Sequence, residues 1–218
     1  MKYYFFDLDG TITDPKEGIT KSVAYALKKY DIRVKNLDEL CPFIGPPLFS
    51  SFMEFYGFDK EKAMEAVKFY REYYEVKGIY ECKLYDGIPK LLKDLKAQGH
   101  HIIMATSKPT DMAIRLMEHF QLTEFFDFIA GSTRDSSRVE KEDVLKYALE
   151  QFPSIDIEQC CMIGDRKFDA IGAKQVHMKC ILVEYGYGNR KELEECKPLW
   201  IAETVEVLGK YLLSGMES

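Results

Sequence analysis

The chain has 218 residues, enough for one large α/β domain or for a core carrying a small inserted partner. Its composition, 46% hydrophobic and 30% charged, is that of a folded globular protein and excludes a disordered or collagen-like chain. A net charge of −6 argues against nucleic acid or an anionic membrane as the main partner, because both select a basic surface.

The first predicted element is a strand over Tyr3-Tyr4-Phe5-Phe6-Asp7-Leu8, an aromatic apolar run that stops at Asp9-Gly10-Thr11 and reads as buried on both faces. Residues 15–30 switch to helical period, with Ile19, Val23, Leu27 and Tyr30 on one stripe. Two further helices are expected near 46–56, opened by Pro46-Pro47, and near 60–76. Ile88, Leu91, Leu92 and Leu95 then mark a helix that Gly99 stops. A strand follows at 102–105, a helix at 110–119, a strand from Phe125 to Ala130, and a helix at 141–151. Strands at 160–163 and 180–183 and a helix from Glu203 to Leu213 complete the pattern.

Alternating strands and helices predict a mostly parallel sheet covered on both faces. The segment 14–85 contains no convincing strand up to residue 80 and interrupts that alternation directly after the first strand, so it reads as an inserted helical domain. It carries 12 basic and 12 acidic residues, which places the whole acidic excess in the α/β part, 1–13 and 86–218. No apolar run approaches the roughly 20 residues of a membrane span. The opening residues lack the features of a signal peptide, so the default expectation is the cytoplasm. The six cysteines include no C-x-x-C pair and read as reduced thiols packed as small hydrophobes.

Ligands of open parallel sheets bind outside the carboxyl ends of the strands. The first strand ends in Asp7 and Asp9, which share a face if the chain stays extended. The second ends in Thr106, Ser107 and Lys108, and the fourth in Asp165, with Asp169 four residues on. Lys141 stands at the start of the helix before the fourth strand. Four carboxylates on one rim repel one another unless a hard divalent cation such as Mg²⁺ joins them. A carboxylate so neutralised can attack a phosphoryl group, a second can move the proton, and a hydroxyl and a lysine can hold the non-bridging oxygens.

These residues resemble the four motifs of the haloacid dehalogenase superfamily. Asp7-Leu8-Asp9-Gly10-Thr11 is similar to its D-x-D-G-T opening, and Ala105-Thr106-Ser107-Lys108-Pro109 to its second motif. Lys141 occupies the place of the motif lysine, and Gly164-Asp165-Arg166-Lys167-Phe168-Asp169 resembles the closing G-D-x-x-x-D. The resemblance covers essentially the whole chain and points to the phosphoglycolate-phosphatase-like group. It implies a Rossmann-like, doubly wound core with an α-helical cap inserted after the first strand. It implies Asp7 as nucleophile, Asp9 as general acid and base, and Thr106 and Lys141 on the transferring phosphoryl group. It implies Mg²⁺ held by Asp7, Asp165, Asp169 and the backbone carbonyl of Asp9. Substrate contacts are expected from Gly10, Thr106, Ser107 and Lys108, and from Gly45 in the cap stretch Cys41–Leu48. The loop Tyr185-Gly186-Tyr187-Gly188 also resembles one these proteins carry.

Two departures stand out. Thr11-Ile12-Thr13-Asp14-Pro15 replaces the more usual D-G-T-L-x-D-S, and Lys141 is followed by Glu142 rather than proline, which leaves Lys146 as a rival. The implied activity is hydrolysis of a small phosphomonoester through an aspartyl phosphate: phosphoglycolate, a sugar phosphate or a nucleoside monophosphate. A β-phosphoglucomutase-like isomerase shares the same motifs, and a phosphonate hydrolase would need a cap lysine such as Lys21. A monomer or a homodimer is compatible with this reading.

Overall fold

The computed structural model describes residues 2–135 and 137–214. In chain order its elements are β1 (Tyr3–Phe6), β2 (Thr13–Asp14), α1 (Lys16–Lys28), α2 (Leu48–Tyr56), α3 (Lys60–Tyr74), β3 (Lys83–Leu84), α4 (Ile88–Ala97) and β4 (His101–Pro109). There follow α5 (Thr110–His119), β5 (Phe128–Ser132), α6 (Lys141–Glu150), β6 (Cys160–Gly164), α7 (Lys167–Gln175), β7 (Lys179–Val183), α8 (Arg190–Glu195), β8 (Trp200–Ala202) and α9 (Val205–Leu213). The chain forms two compact units, Pro15–Lys83 and the remainder.

The larger unit is a six-stranded sheet in the order β5-β4-β1-β6-β7-β8, every pairing parallel. A parallel sheet must be covered on both faces, and the residues of β1 show how. Phe5 points into a core shared with Val144, Leu145 and Ala148 of α6 and Ala170 and Ala173 of α7. The next side chain, Tyr4, points the opposite way and donates its hydroxyl to the carbonyl of Leu212 in α9, at 3.2 Å. α4 buries Ile88, Leu91, Leu92 and Leu95, the stripe its spacing predicts. The chain winds outward from β1 to β4 and β5 on one side, and to β6, β7 and β8 on the other. This reversal opens a crevice beyond the carboxyl end of β1, where open α/β sheets take their ligands.

Several elements differ from expectation. β8 is a three-residue edge strand, too short to leave a periodic signal. α7 was invisible because its buried side is Asp169, Ala170, Gly172 and Ala173, while its large apolar residue Ile171 faces solvent. α8 buries only Leu193. The strand expected from Phe125 starts at Phe128, after a 3-10 turn over Thr123–Phe125. Pro46 and Pro47 precede α2 rather than opening it, since Pro47 has ψ 126° and is not helical.

The unit Pro15–Lys83 contains α1, α2 and α3 with two 3-10 turns. Its core is built on Val23, Leu27, Leu40, Phe43, Phe52 and Ala66, and Phe43 meets Phe52 edge to face at 5.0 Å. Tyr30, at the end of the α1 stripe, lies beyond the helix and packs on Phe58 at 5.0 Å. Asp14, Leu84 and Tyr85, assigned above to the insertion, fall in the sheet unit. The Tyr85 N–H donates to the Ile12 carbonyl at 3.1 Å, its ring meets Tyr185 at 4.8 Å, and Asp14 accepts from the Tyr187 hydroxyl. Among the described residues no helix is long and apolar enough to cross a membrane.

Candidate active site

Asp7 directly follows β1, and its N–H still donates to Ile163 at 2.8 Å, so the chain is held at the sheet's rim. The strand ends there. Three successive N–H groups, those of Thr11, Ile12 and Thr13, turn back onto the Leu8 carbonyl. The two aspartates therefore do not share a strand face as their spacing suggested. Each meets a different lysine.

Asp7 Oδ1 lies 2.9 Å from Lys141 Nζ, and Asp169 Oδ1 lies 2.8 Å from the same nitrogen. Lys141 also donates to the Ala105 carbonyl at 2.8 Å. It is the first residue of α6, where a cation opposes the helix dipole. The two carboxylates offset that cost. Burial works against the charged lysine, but Asp169 and Asp7 outweigh it and raise its pKa above the ordinary lysine value. Lys146, the rival, is exposed and paired with Glu142 on the helix surface.

Asp165 directly follows β6, and Asp169 lies in the first turn of α7. Asp169 Oδ2 accepts from the N–H groups of Asp165 and Arg166, both at 3.1 Å, and so caps the start of α7 while Oδ1 faces Lys141. One oxygen thus serves the helix cap and the other the lysine. Asp165 Oδ2 accepts from Tyr187 N–H at 2.7 Å, but Oδ1 is buried without a hydrogen-bond partner.

Ligand oxygens of Asp7, Asp165 and Asp169 lie within 4.8 Å of one another. Three clustered carboxylates, of which only Asp7 and Asp169 meet the Lys141 ammonium, leave negative charge uncompensated in a buried site, and it shows in the acidities. Burial, then Asp169 and Asp7, push Asp165 well above the usual carboxylate range. Burial pushes Asp169 up to about 6 against the pull of Lys141. An all-oxygen donor set with an orphaned buried oxygen fits a hard divalent cation.

Asp9 is not part of this trio. Both its oxygens lie on Lys108 Nζ, at 2.6 and 2.9 Å, and Thr13 Oγ1 approaches Oδ1 at 3.4 Å. Thr106 is fully buried and its Oγ1 accepts from the Lys108 N–H at 3.2 Å. Ser107 between them is half-buried. All three sit on a bulge of β4: the ladder to β5 pairs Ala105 with Ala130 and next Pro109 with Ser132, so β4 carries extra residues between the two pairings. Bulges re-aim side chains, and nothing in the sequence announced this one.

Glycines wall the trio. Gly10 has φ +89°, and a Cβ there would stand 2.1 Å from Asp165 Oδ2. A Cβ on Gly186 would stand 2.3 Å from Asp165 Cβ and 2.4 Å from the Gly10 carbonyl. The loop 185–188 is thus packed against Asp165, and the Tyr185 hydroxyl fastens it by donating to the Thr11 carbonyl at 3.0 Å. Behind it Glu192 pairs with Arg166 at 2.9 Å and accepts from the Lys167 N–H, a support that sequence reasoning did not assign. Gly45 lies in the helical unit with φ +102°. Gly186→Ala is expected to displace Asp165 and weaken divalent-cation binding at least about tenfold. Calorimetric titration with Mg²⁺ checks this, and unchanged affinity would show that the loop does not shape the site.

The family model of haloacid dehalogenase-like hydrolases matches residues 4–183. A 5'-nucleotidase of Pseudomonas aeruginosa is 44% identical over 209 residues, covering 96% of this chain and 94% of that protein. The crystal structure of a predicted phosphatase from Clostridium acetobutylicum superposes with a TM-score of 0.94 at 47% identity, covering 98% of each chain. The tyrosine-protein kinase PtkA of Mycobacterium tuberculosis is 38% identical over 183 residues, 84% of this chain but 62% of that protein. With the rim of acids, the lysine and the sheet order already in place, these matches make the chain a member of the haloacid dehalogenase-like hydrolase family, of its phosphatase kind.

Proposed function

We propose that the protein is a Mg²⁺-dependent phosphatase that hydrolyses a small phosphomonoester through an aspartyl phosphate on Asp7. The observation that carries this reading is the buried cluster of Asp7, Asp165 and Asp169, two of whose members, Asp7 and Asp169, hold Lys141. Asp7, Asp165 and Asp169 would hold Mg²⁺, with the Asp9 carbonyl as a further ligand. The bound ion would neutralise the carboxylates and draw charge from the phosphoryl oxygens.

Asp7 attacks phosphorus, the bond to the leaving oxygen breaks, and Asp9 supplies that oxygen's proton. Water then attacks the acyl phosphate, Asp9 takes its proton, and phosphate departs with Asp7 restored. Thr106 accepts from a backbone N–H and keeps its own proton to donate to a phosphoryl oxygen. Lys141, fixed between two carboxylates, supplies positive charge where the transition state is most negative. Ser107 and the backbone at Gly10 complete the phosphate contacts. Lys108 was expected among them but is engaged with Asp9. Gly45 and the helical unit are assigned to the substrate's leaving group on the resemblance.

The nucleotidase relative, similar along nearly the whole chain, supports nucleoside 5'-monophosphates as the first substrates to try. A phosphonate hydrolase would need a neutral lysine. Lys21 is hydrogen-bonded to Glu17 and to Glu81 (3.0 Å), contacts that raise its pKa and keep it protonated. The test is phosphate release with Mg²⁺ across nucleoside monophosphates, sugar phosphates and phosphoglycolate, with Asp7→Asn as the blank. Release of phosphate to water supports the reading. Return of phosphate to the sugar supports an isomerase instead, and no turnover of any compound above the blank counts against the phosphatase.

The acidities predict a pH signature. Asp165 and Asp169 hold their protons more tightly folded than unfolded, where carboxylates titrate near about 4. Without metal, folded stability therefore falls as pH rises from about 4 through about 6 and beyond. A cation on the trio removes that penalty. Mg²⁺ is expected to raise Tm more at pH 7.5 than at pH 5, measured by calorimetry. Equal gains at both pH values would place the cation elsewhere.

A further inference from the structure

Asp7 and Asp9 follow β1, Asp165 follows β6 and Asp169 lies in the first turn of α7, yet only three of these four carboxylates gather. What separates Asp9 from the others is visible: its two oxygens lie on Lys108 Nζ at 2.6 and 2.9 Å. That ammonium is itself 4% exposed, beside an Asp9 carboxylate at 15%. Lys108 is not free to wander. Its N–H is tied to Thr106 Oγ1 at 3.2 Å, and its carbonyl lies where a Cβ on Gly131 would come within 2.4 Å. It sits on the bulge of β4, which turns it out of the β5 ladder. A buried lysine with a fixed backbone, holding both oxygens of one carboxylate, defines where that carboxylate points.

We propose that Lys108 is a positioning residue for Asp9: it holds this carboxylate apart from Asp7, Asp165 and Asp169, leaving it available to move a proton rather than to join them as a fourth oxygen donor. The proposal rests on the phosphatase reading. It explains why Asp7 and Asp9, two residues apart, can serve different ends: the first is drawn to Lys141, the second to Lys108. It also gives the Thr106-Ser107-Lys108 bulge one purpose at each end, a hydroxyl for the phosphoryl group and an ammonium for Asp9.

The test separates positioning from direct phosphate binding. Lys108→Met is expected to lower kcat about 10- to 100-fold with KM within about threefold of wild type, since proton transfer suffers while binding does not. Lys108→Arg, which keeps the charge, is expected to recover most of kcat. In the Asp9→Asn background, Lys108→Met should cost less than about threefold more, because residues acting through one another are not additive. A rise in KM with kcat preserved would assign Lys108 to the substrate and overturn the proposal, as would additive losses in the double variant or unchanged kinetics. If Lys108→Met does not fold, Lys108→Gln is measured the same way. Failure of the phosphatase reading is distinct: wild type itself would then release no phosphate.

Discussion

Asp7→Asn is expected to reduce phosphate release by at least about a thousandfold, since an amide cannot form the acyl phosphate and the remaining groups cannot replace a nucleophile. The loss should fall on kcat. The same change should leave the protein folded and, without metal, no less stable. It removes one of three crowded carboxylates, and Asp169 still faces Lys141 at 2.8 Å. Phosphate release with calorimetric melting, each with and without Mg²⁺, reads both effects. The increase of Tm on adding Mg²⁺ should shrink, because one ligand is gone. Retention of a tenth or more of wild-type turnover would remove Asp7 from the nucleophile's role, and a collapse of the fold would make its role structural.

Lys141→Met is expected to act mainly on stability. The side chain is nearly fully buried and holds Asp7, Asp169 and the Ala105 carbonyl. Methionine fills a similar volume but leaves the carboxylates without their counter-charge. Removing one partner of a buried ion pair costs roughly 3–5 kcal/mol. Urea unfolding without metal should show that loss, and Mg²⁺ should restore part of it by supplying positive charge to the same oxygens. The loss should also shrink at pH 5, where their raised pKa lets Asp165 and Asp169 hold protons. Turnover should remain low even when stability is restored, because the cation does not replace the ammonium on the phosphoryl group. A variant as stable as wild type without metal would show that the three acids do not need Lys141.

Much of this site could be read from the chain because chemistry-bearing residues stand where apolar runs stop. Asp7, Thr106 and Asp165 each follow such a run, and the rule that parallel sheets bind ligands at strand ends gathered them without coordinates. Periodicity then reached its limit. It predicted a shared face for Asp7 and Asp9, but the turn onto the Leu8 carbonyl breaks the extended chain and sends the two to different lysines. The bulge of β4 depends on its pairing with β5, a contact between distant segments that no local pattern encodes. α7 hid behind its small buried residues, so Asp169 was placed by motif alone, and only the fold divides its two oxygens between the helix cap and Lys141. The glycines at 186 and 188 stand out in the sequence by resemblance to a loop of the family, with no physical reason attached. Their reason is Asp165, against which a side chain at either position would collide.

The register of β1 has a consequence for how the molecule is made. Tyr3 pairs with His101 on one side and with Cys160 on the other, so of the six sheet strands the one made first sits between two that arrive much later. Tyr4, Phe5 and Phe6, all fully buried at the end, must wait without either neighbour until β4 has been synthesised, and without the second until β6. Pairings this distant in sequence slow folding, and an uncovered aromatic strand invites association with other chains meanwhile. Synthesis thus leaves a long interval in which a chaperone bound at β1 would matter, while the Pro15–Lys83 unit, continuous in sequence, can gather its own core during that wait.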